Sequence, residues 1–390
     1  MFILLSSLGA LVLIVFASLF IISGVFEKPK YLEPWDKTYE QKFDDPRIRL
    51  VACGLLAANG HNMQPWKVKL DKRNPMAFYL YADSDRITDK VDPDSRQMMI
   101  TQGTFLEYVK IAGEETGYQT AIKLFPEGLY NEKSLVESMK NKPVAKVTLT
   151  KEKPQSNPLY ASIFLPDTNR SAYQPTKLTT GQINQLEHIN GDAKLSVEIY
   201  QDKKNMDKLS DYAIKAAVIE AGVNRVMKES EIIFRANEYQ KNKYRYGFSV
   251  DGQGTTGIML GIKQGLVTLF PSLNKGKAAS DLFIQSTRAS VDSTPAYALI
   301  ISKDNSRSSQ VKSGMLYSKL ILTAQKLGIV MQPLSQSLEE YPEMKDPYNH
   351  IHHDYAPGGG TIQMLVRLGK PIKKASQSMR RDVMDLIISE

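Results

Sequence analysis

The octet Asn59-Gly60-His61-Asn62-Met63-Gln64-Pro65-Trp66 decides how this chain is read. Residues 46–57 ahead of it have the apolar spacing of a helix, and residues 67–70 behind it have that of a strand. The octet is therefore a helix-to-strand loop, crowded with amide side chains and closed by a proline and a tryptophan. On its own residues it reads as a rigid turn, with φ fixed by Pro65 and Trp66 packed in the core.

Two segments downstream share a pattern. Ser95-Arg96 is followed by Gly103 and Gly117, and Ser306-Arg307 by Gly314 and Gly328, with the same spacings in both. Between its glycines each segment is helix-like. Leu106, Val109, Ile111 and Ala112 line the first, and Leu316, Leu320, Ile321 and Ala324 the second. A glycine closes each helix, because glycine takes the left-handed conformation without steric cost. Gly103 and Gly314 lie 211 residues apart, far beyond any solenoid period, so the pattern points to two related halves. Strands at 77–81 and 296–301 precede these helices, and strands at 143–150 and 361–368 follow them. The expected fold is α+β, with a central sheet flanked by helices in each half. The halves span 46–166 and 167–390. An insertion at about 203–292 in the second has no counterpart in the first, and is either a lid over a site or a structural arm.

The 390 residues carry a net charge of +8, and 42% are hydrophobic. The basic residues form no long run, so no nucleic-acid partner is expected. A single cysteine, Cys53, sits in an apolar helix-like run and reads as a packing thiol. Residues 2–26 are almost wholly apolar and uncharged, the length of a membrane-spanning helix. Lys28, Lys30 and Lys37 follow them, which places the globular part in the cytoplasm by the positive-inside rule. The expectation is a single-pass anchor over 1–26, a linker over 27–45 and the membrane as a partner. His350, His352, His353 and Asp354 suggest a metal only weakly. In an extended segment their neighbouring side chains point apart, and a solvated loop is the plainer reading, so no metal is expected.

Four stretches resemble the nitroreductase superfamily, and its Acg-type tandem members most closely. Asn62-Met63-Gln64-Pro65-Trp66 is similar to the family's Asn-x-Gln-Pro-Trp loop, which reaches across a dimer interface to the flavin. Thr168-Asn169-Arg170 matches part of an Arg-rich segment that binds the FMN phosphate and ribityl chain. Asp167 and Ser171 replace arginines of that segment. Residues 327–337 resemble the strand that passes beside the flavin ring, with Pro333 and Ser335 nearest. Residues 356–369 resemble the closing strand. Arg380 and Arg381 fall where a C-terminal basic pair of the family meets the phosphate.

The resemblance implies a fused pseudo-dimer that binds one FMN, with Asn59, His61, Asn62, Gln64, Trp66, Asn169, Arg170, Pro333, Ser335, Arg380 and Arg381 around it. The second half carries Asn190-Gly191-Asp192-Ala193-Lys194-Leu195 where a second copy of the loop would stand. The activity implied is hydride transfer from NAD(P)H to FMN and on to a nitro compound, quinone or similar small-molecule electron acceptor. The flavin carries that chemistry, and no side chain is expected as a catalyst. The alternatives are a protein that binds and shelters FMN with little turnover, and a membrane scaffold that has lost it.

Overall fold

Strand patterning sorts the chain into two antiparallel four-stranded sheets. The computed structural model describes residues 2–189 and 191–388, with side chains from residue 13 onward. After α1 (Phe2–Ser23), the first half runs α2 (Pro46–Gly54), β1 (Trp66–Leu70), β2 (Ala77–Ala82), α3 (Arg96–Thr116), β3 (Tyr118–Leu124), α4 (Leu135–Asn141) and β4 (Ala145–Lys151). The second half begins with α5 (Thr180–Glu187) and β5 (Leu195–Tyr200). An inserted arm follows: α6 (Lys203–Gly222), α7 (Asn224–Ile232), β6 (Phe234–Arg235), α8 (Glu238–Tyr244), β7 (Phe248–Ser249), α9 (Ile258–Leu269) and α10 (Gly276–Asp292). The half then completes itself with β8 (Ala296–Ser302), α11 (Arg307–Lys326), β9 (Val330–Pro333), α12 (Lys345–Tyr355) and β10 (Thr361–Gly369).

The sheet orders are β1-β2-β4-β3 and β5-β8-β10-β9. Taken strand for strand the two orders are the same, and the arm falls between the first and second strands of the second half. α3 and α11 form the seam between the halves. They cross where Gly103 meets Gly314. A Cβ on Gly103 would collide with the Val311 carbonyl, and one on Gly314 with the Ile100 carbonyl. Only residues without side chains allow two helix backbones this near one another.

Equivalent arginines at the two helix starts reach into the opposite half. Arg96 donates to the carbonyls of Gln363 and Leu338, each at 2.7 Å. Arg307 donates to the Asp94 carbonyl at 2.7 Å and to Glu132 Oε2 at 2.5 Å. The C-terminal tail of the second half then lies along the free edge of the first sheet, where Ile388 N–H donates to the Val68 carbonyl at 2.9 Å.

Two expectations need correction. Among the described residues no helix is long and apolar enough to cross a membrane. The anchor over 1–26, the single-pass placement with a cytoplasmic globular part and the membrane as a partner therefore do not stand. The side chains of residues 1–12 lie outside the described residues. Further along α1, Leu19 and Phe20 pack against Gly265 and Gly261 of α9, so the helix is partnered by the arm. The histidine cluster lies on helix α12 and not on an extended loop. There His352 stacks on Tyr348 with centroids 4.1 Å apart, and its Nε2 accepts from Ile362 N–H at 3.0 Å. Among the described residues no group of three or more His, Cys, Asp or Glu could hold a metal. Cys53 is buried, which pushes its thiol up to about 12, as suits a packing residue.

Candidate functional site

The octet loop is backbone-strained. His61, Asn62 and Gln64 take φ of 53°, 51° and 50°, a left-handed conformation that non-glycine residues rarely adopt. Each such residue costs on the order of 1–3 kcal/mol, so the surroundings must hold it. Three parts of the molecule do so. From the first half, Asn59 Oδ1 accepts from Gln64 N–H at 2.8 Å, and Asn59 Nδ2 donates to the Ala57 carbonyl at 3.1 Å. From the tail of the second half, Arg381 N–H donates to Gln64 Oε1 at 2.8 Å, and the Met379 carbonyl accepts from Asn62 and Gln64, each at 3.2 Å. From the arm, the Gly247 carbonyl accepts from Asn62 Nδ2 at 3.2 Å and the Arg245 carbonyl from Gln64 Nε2 at 2.8 Å.

Trp66 belongs to the core. It is fully buried, packs its ring against Phe105 at 5.2 Å and donates its indole N–H to the Thr101 carbonyl at 3.1 Å. Both arginines of the tail are buried with their guanidinium groups engaged. Arg380 donates to Asn62 Oδ1 at 3.0 Å, Ser378 Oγ at 2.5 Å and the Leu56 carbonyl at 2.6 Å, and lies over the Trp35 ring. Arg381 donates to the carbonyls of Gln64 at 3.3 Å and Asp385 at 2.6 Å. Burial lowers both to about 10, so both remain cations. The pair braces the loop from behind.

Asn169 is an organiser of its own segment. Its Oδ1 accepts from Ser171 N–H at 3.0 Å, its Nδ2 donates to the Lys373 carbonyl at 2.8 Å, and its N–H donates to the Met331 carbonyl of β9 at 2.9 Å. Pro333 and Ser335 are held by β10. Pro333 pairs with Val366, and the Ser335 hydroxyl bridges the Leu365 carbonyl and N–H at 3.0 and 3.1 Å.

What the seam gathers is a ring of polar groups drawn from both halves. Arg170 keeps surface open to solvent, yet protein surrounds it. The lost hydration lowers its pKa, and its Nη1 donates to the Gly252 carbonyl of the arm at 3.0 Å. His61 lies close enough to feel that charge. Burial first, and Arg170 second, bring His61 down to about 4, so it is neutral at neutral pH. Its ring faces Phe248 of the arm at 5.3 Å.

Tyr317, one turn beyond Gly314 on α11, stands in the fields of Arg170 and Asp167, and burial drives its phenol far up. Asp167 accepts from the Tyr108 hydroxyl and lies 3.9 Å from Arg380. Burial pushes Asp167 up to about 7, against the pull of Arg380 and Tyr108. Arg380 closes the circuit through Asn62, beside His61. Four buried atoms on this ring lack a hydrogen-bond partner: His61 Nδ1, Asp167 Oδ2, Tyr317 Oη and Arg380 Nε. Buried polar atoms are nearly always paired, so four orphans along one seam call for an explanation, of which a bound group is one.

Of the residues the sequence singled out, the structure brings His61, Asn62, Arg170 and Arg380 together. Asn59, Gln64 and Arg381 form the loop's brace, and Trp66, Pro333 and Ser335 are engaged in core and sheet. Tyr317 and Tyr108 were not foreseen. A tyrosine on an apolar helix face carries no signal beyond packing.

No protein-family model and no curated protein matches the chain. Solved structures to which it is similar include nitroreductases. A nitroreductase with bound FMN from Desulfitobacterium hafniense is 10% identical, covering 60% of this chain and 100% of that one, with a TM-score of 0.38. An FMN-dependent nitroreductase from Mycobacterium smegmatis, in complex with NADPH, is 12% identical over 56% of this chain and 92% of that one, TM-score 0.34. A putative nitroreductase from Anabaena variabilis is 11% identical over 81% and 82%, TM-score 0.31. Likenesses at this level place no residue, and the site stands on this chain's own geometry.

Proposed function

We propose that the chain is an FMN-dependent oxidoreductase with one flavin site, set in the seam between its halves. The observation that carries this reading is the ring of orphaned buried atoms around Arg170, to which both halves contribute. The donor set suits a flavin. Arg170 is a cation that can donate to the polar tail, and neutral His61 and Tyr317 can donate or accept along its hydroxylated chain. When bound, FMN supplies hydride and electron transfer at its ring, from NAD(P)H to a nitro compound, quinone or similar acceptor in the reaction the resemblance implies.

The chain's own residues do the rest. The strained loop fixes His61 and Asn62 against the seam. Arg380 and Arg381 hold that loop from behind, and the arm shields the ring from water through Arg245, Gly247 and Gly252. Rigid support of this kind is what positions a cofactor.

A second reading has its own observation. The arm bonds directly to Asn62, Gln64 and Arg170, as suits a protein that shelters FMN and turns over little. Purified protein titrated with FMN, then mixed with NADH or NADPH without oxygen, separates the two. The proposal expects a yellow protein that bleaches and then reduces a quinone. A yellow protein that stays unbleached supports sheltering, and one that takes up no FMN overturns both. Arg170→Ala is expected to weaken FMN binding at least about tenfold, the worth of one charged hydrogen bond.

A further inference from the structure

The seam ring has the wrong charge pattern for a phosphate-led site. A phosphate dianion is best met by several guanidinium forks. Here Arg380 and Arg381 turn their N–H groups to Asn62 Oδ1, Ser378 Oγ and backbone carbonyls. Arg170 donates one of its own to Gly252. Asp167 stands on the same ring, where Thr168-Asn169-Arg170 follows it, and its buried Oδ2, 3.9 Å from Arg380, accepts no hydrogen bond. A carboxylate accepts hydrogen bonds and repels an anion. The Tyr317 hydroxyl, in the field of Asp167, and His61 Nδ1, in the field of Arg170, are buried without a hydrogen-bond partner too, and each can donate or accept according to need. A run of hydroxyls, every one both donor and acceptor, satisfies such a set. A phosphate, which only accepts, does not.

We propose that the seam site grips flavin by its polyol chain through Tyr317 and Asp167, and only weakly by phosphate, so that riboflavin is a ligand of the same standing as FMN. This rests on the flavin site proposed above and narrows it. Tyr108 from α3, Tyr317 from α11 and Arg380 from the tail are the ionisable groups that face Asp167. Burial pushes Asp167 up to about 7, so the carboxylate is charged above that pH, where it opposes phosphate most.

The test is a pair of titrations, FMN and riboflavin, with the full chain at pH 8, repeated for Tyr317→Phe and Asp167→Asn. Wild-type dissociation constants for the two flavins are expected within about threefold of each other. Tyr317→Phe weakens both about tenfold, the loss of one buried hydrogen bond. Asp167→Asn tightens FMN relative to riboflavin, because it removes the charge but keeps an acceptor. Circular dichroism and thermal midpoints of the flavin-free variants separate binding from folding. FMN binding a hundredfold tighter than riboflavin overturns the inference and leaves the flavin site standing. So do unchanged constants in a folded Tyr317→Phe. Failure of the wild type to bind either flavin removes the site and this inference with it.

Discussion

The two sheets have the same strand order, but one covers a single face and the other two. In the first, β1 alternates as Trp66-Lys67-Val68-Lys69-Leu70, and β3 exposes every second residue. In the second, β8 is buried at all seven positions and β10 at all nine. Alternate residues of β8 enter separate cores. Ala296, Ala298 and Ile300 meet Leu316 and Leu320 of α11, while Tyr297, Leu299 and Ile301 meet Leu209 and Ala213 of α6. The arm is therefore a second layer on the second sheet. From that footing it extends to the octet loop of the first half. One half carries the octet loop, and the other carries the layer that reaches it.

That comparison breaks most completely at its axis. Gly103→Val or Gly314→Val drives a side chain into a backbone carbonyl of the partner helix. Each is expected to cost more than about 4 kcal/mol and to abolish folded protein, read as soluble yield and urea unfolding. Gly181→Ala on α5, where a Cβ meets nothing, is the control and should change stability by less than about 1 kcal/mol.

Next comes the tie between loop and tail. Arg380→Met removes the cation beside Asp167 and leaves Asn62 Oδ1 and the Leu56 carbonyl short of a donor. The expected cost is about 3–5 kcal/mol in urea unfolding, as for breaking a buried ion pair.

The docking of the arm carries a pH signature. Glu220 of α6 and Glu339, which follows β9, are both buried, and burial pushes both carboxyls upward. Carboxyls raised in the folded state contribute stability fully below the ordinary glutamate range, and that contribution is lost as pH climbs above it. The wild-type urea midpoint is expected to fall from pH 5 to pH 8, and Glu220→Gln to flatten part of that fall. A Gln variant that falls as steeply as wild type would show that Glu220 is not a source of the slope.

The smallest effect is local. Asn62→Ala removes the bonds to Gly247, Met379 and Arg380, at about 1–3 kcal/mol. Faster amide exchange is expected at residues 245–254, with α3 and α11 unchanged.

Much of this architecture is written in residue types whose physics is local. Glycines at matched spacing mark where α3 and α11 cross, because nothing larger fits there. The apolar run 296–301 of β8 against the alternating β1 announces two covered faces against one. What stays hidden is direction. Arg380 and Arg381 read as phosphate ligands, and the sequence does not tell that their N–H groups go to Asn62 Oδ1, Ser378 Oγ and backbone carbonyls. The apolar run of α1 reads as a membrane span, yet the sequence does not say that Gly261 and Gly265 of α9 form a surface for it. The histidines of α12 read as an open loop, because no local pattern tells that His352 will accept a sheet N–H. Tyr317 is invisible for the same reason, since its importance comes from Asp167 and Arg170, far from it in sequence.

The stoichiometry of flavin uptake tests the central claim most directly. Titration of the flavin-free chain with FMN, followed by visible absorbance and calorimetry, is expected to saturate at one FMN per chain, with Arg170→Ala binding it more weakly. Two FMN per chain would mean that the halves are equivalent as sites. No uptake would mean that the ring around Arg170 is not a flavin site.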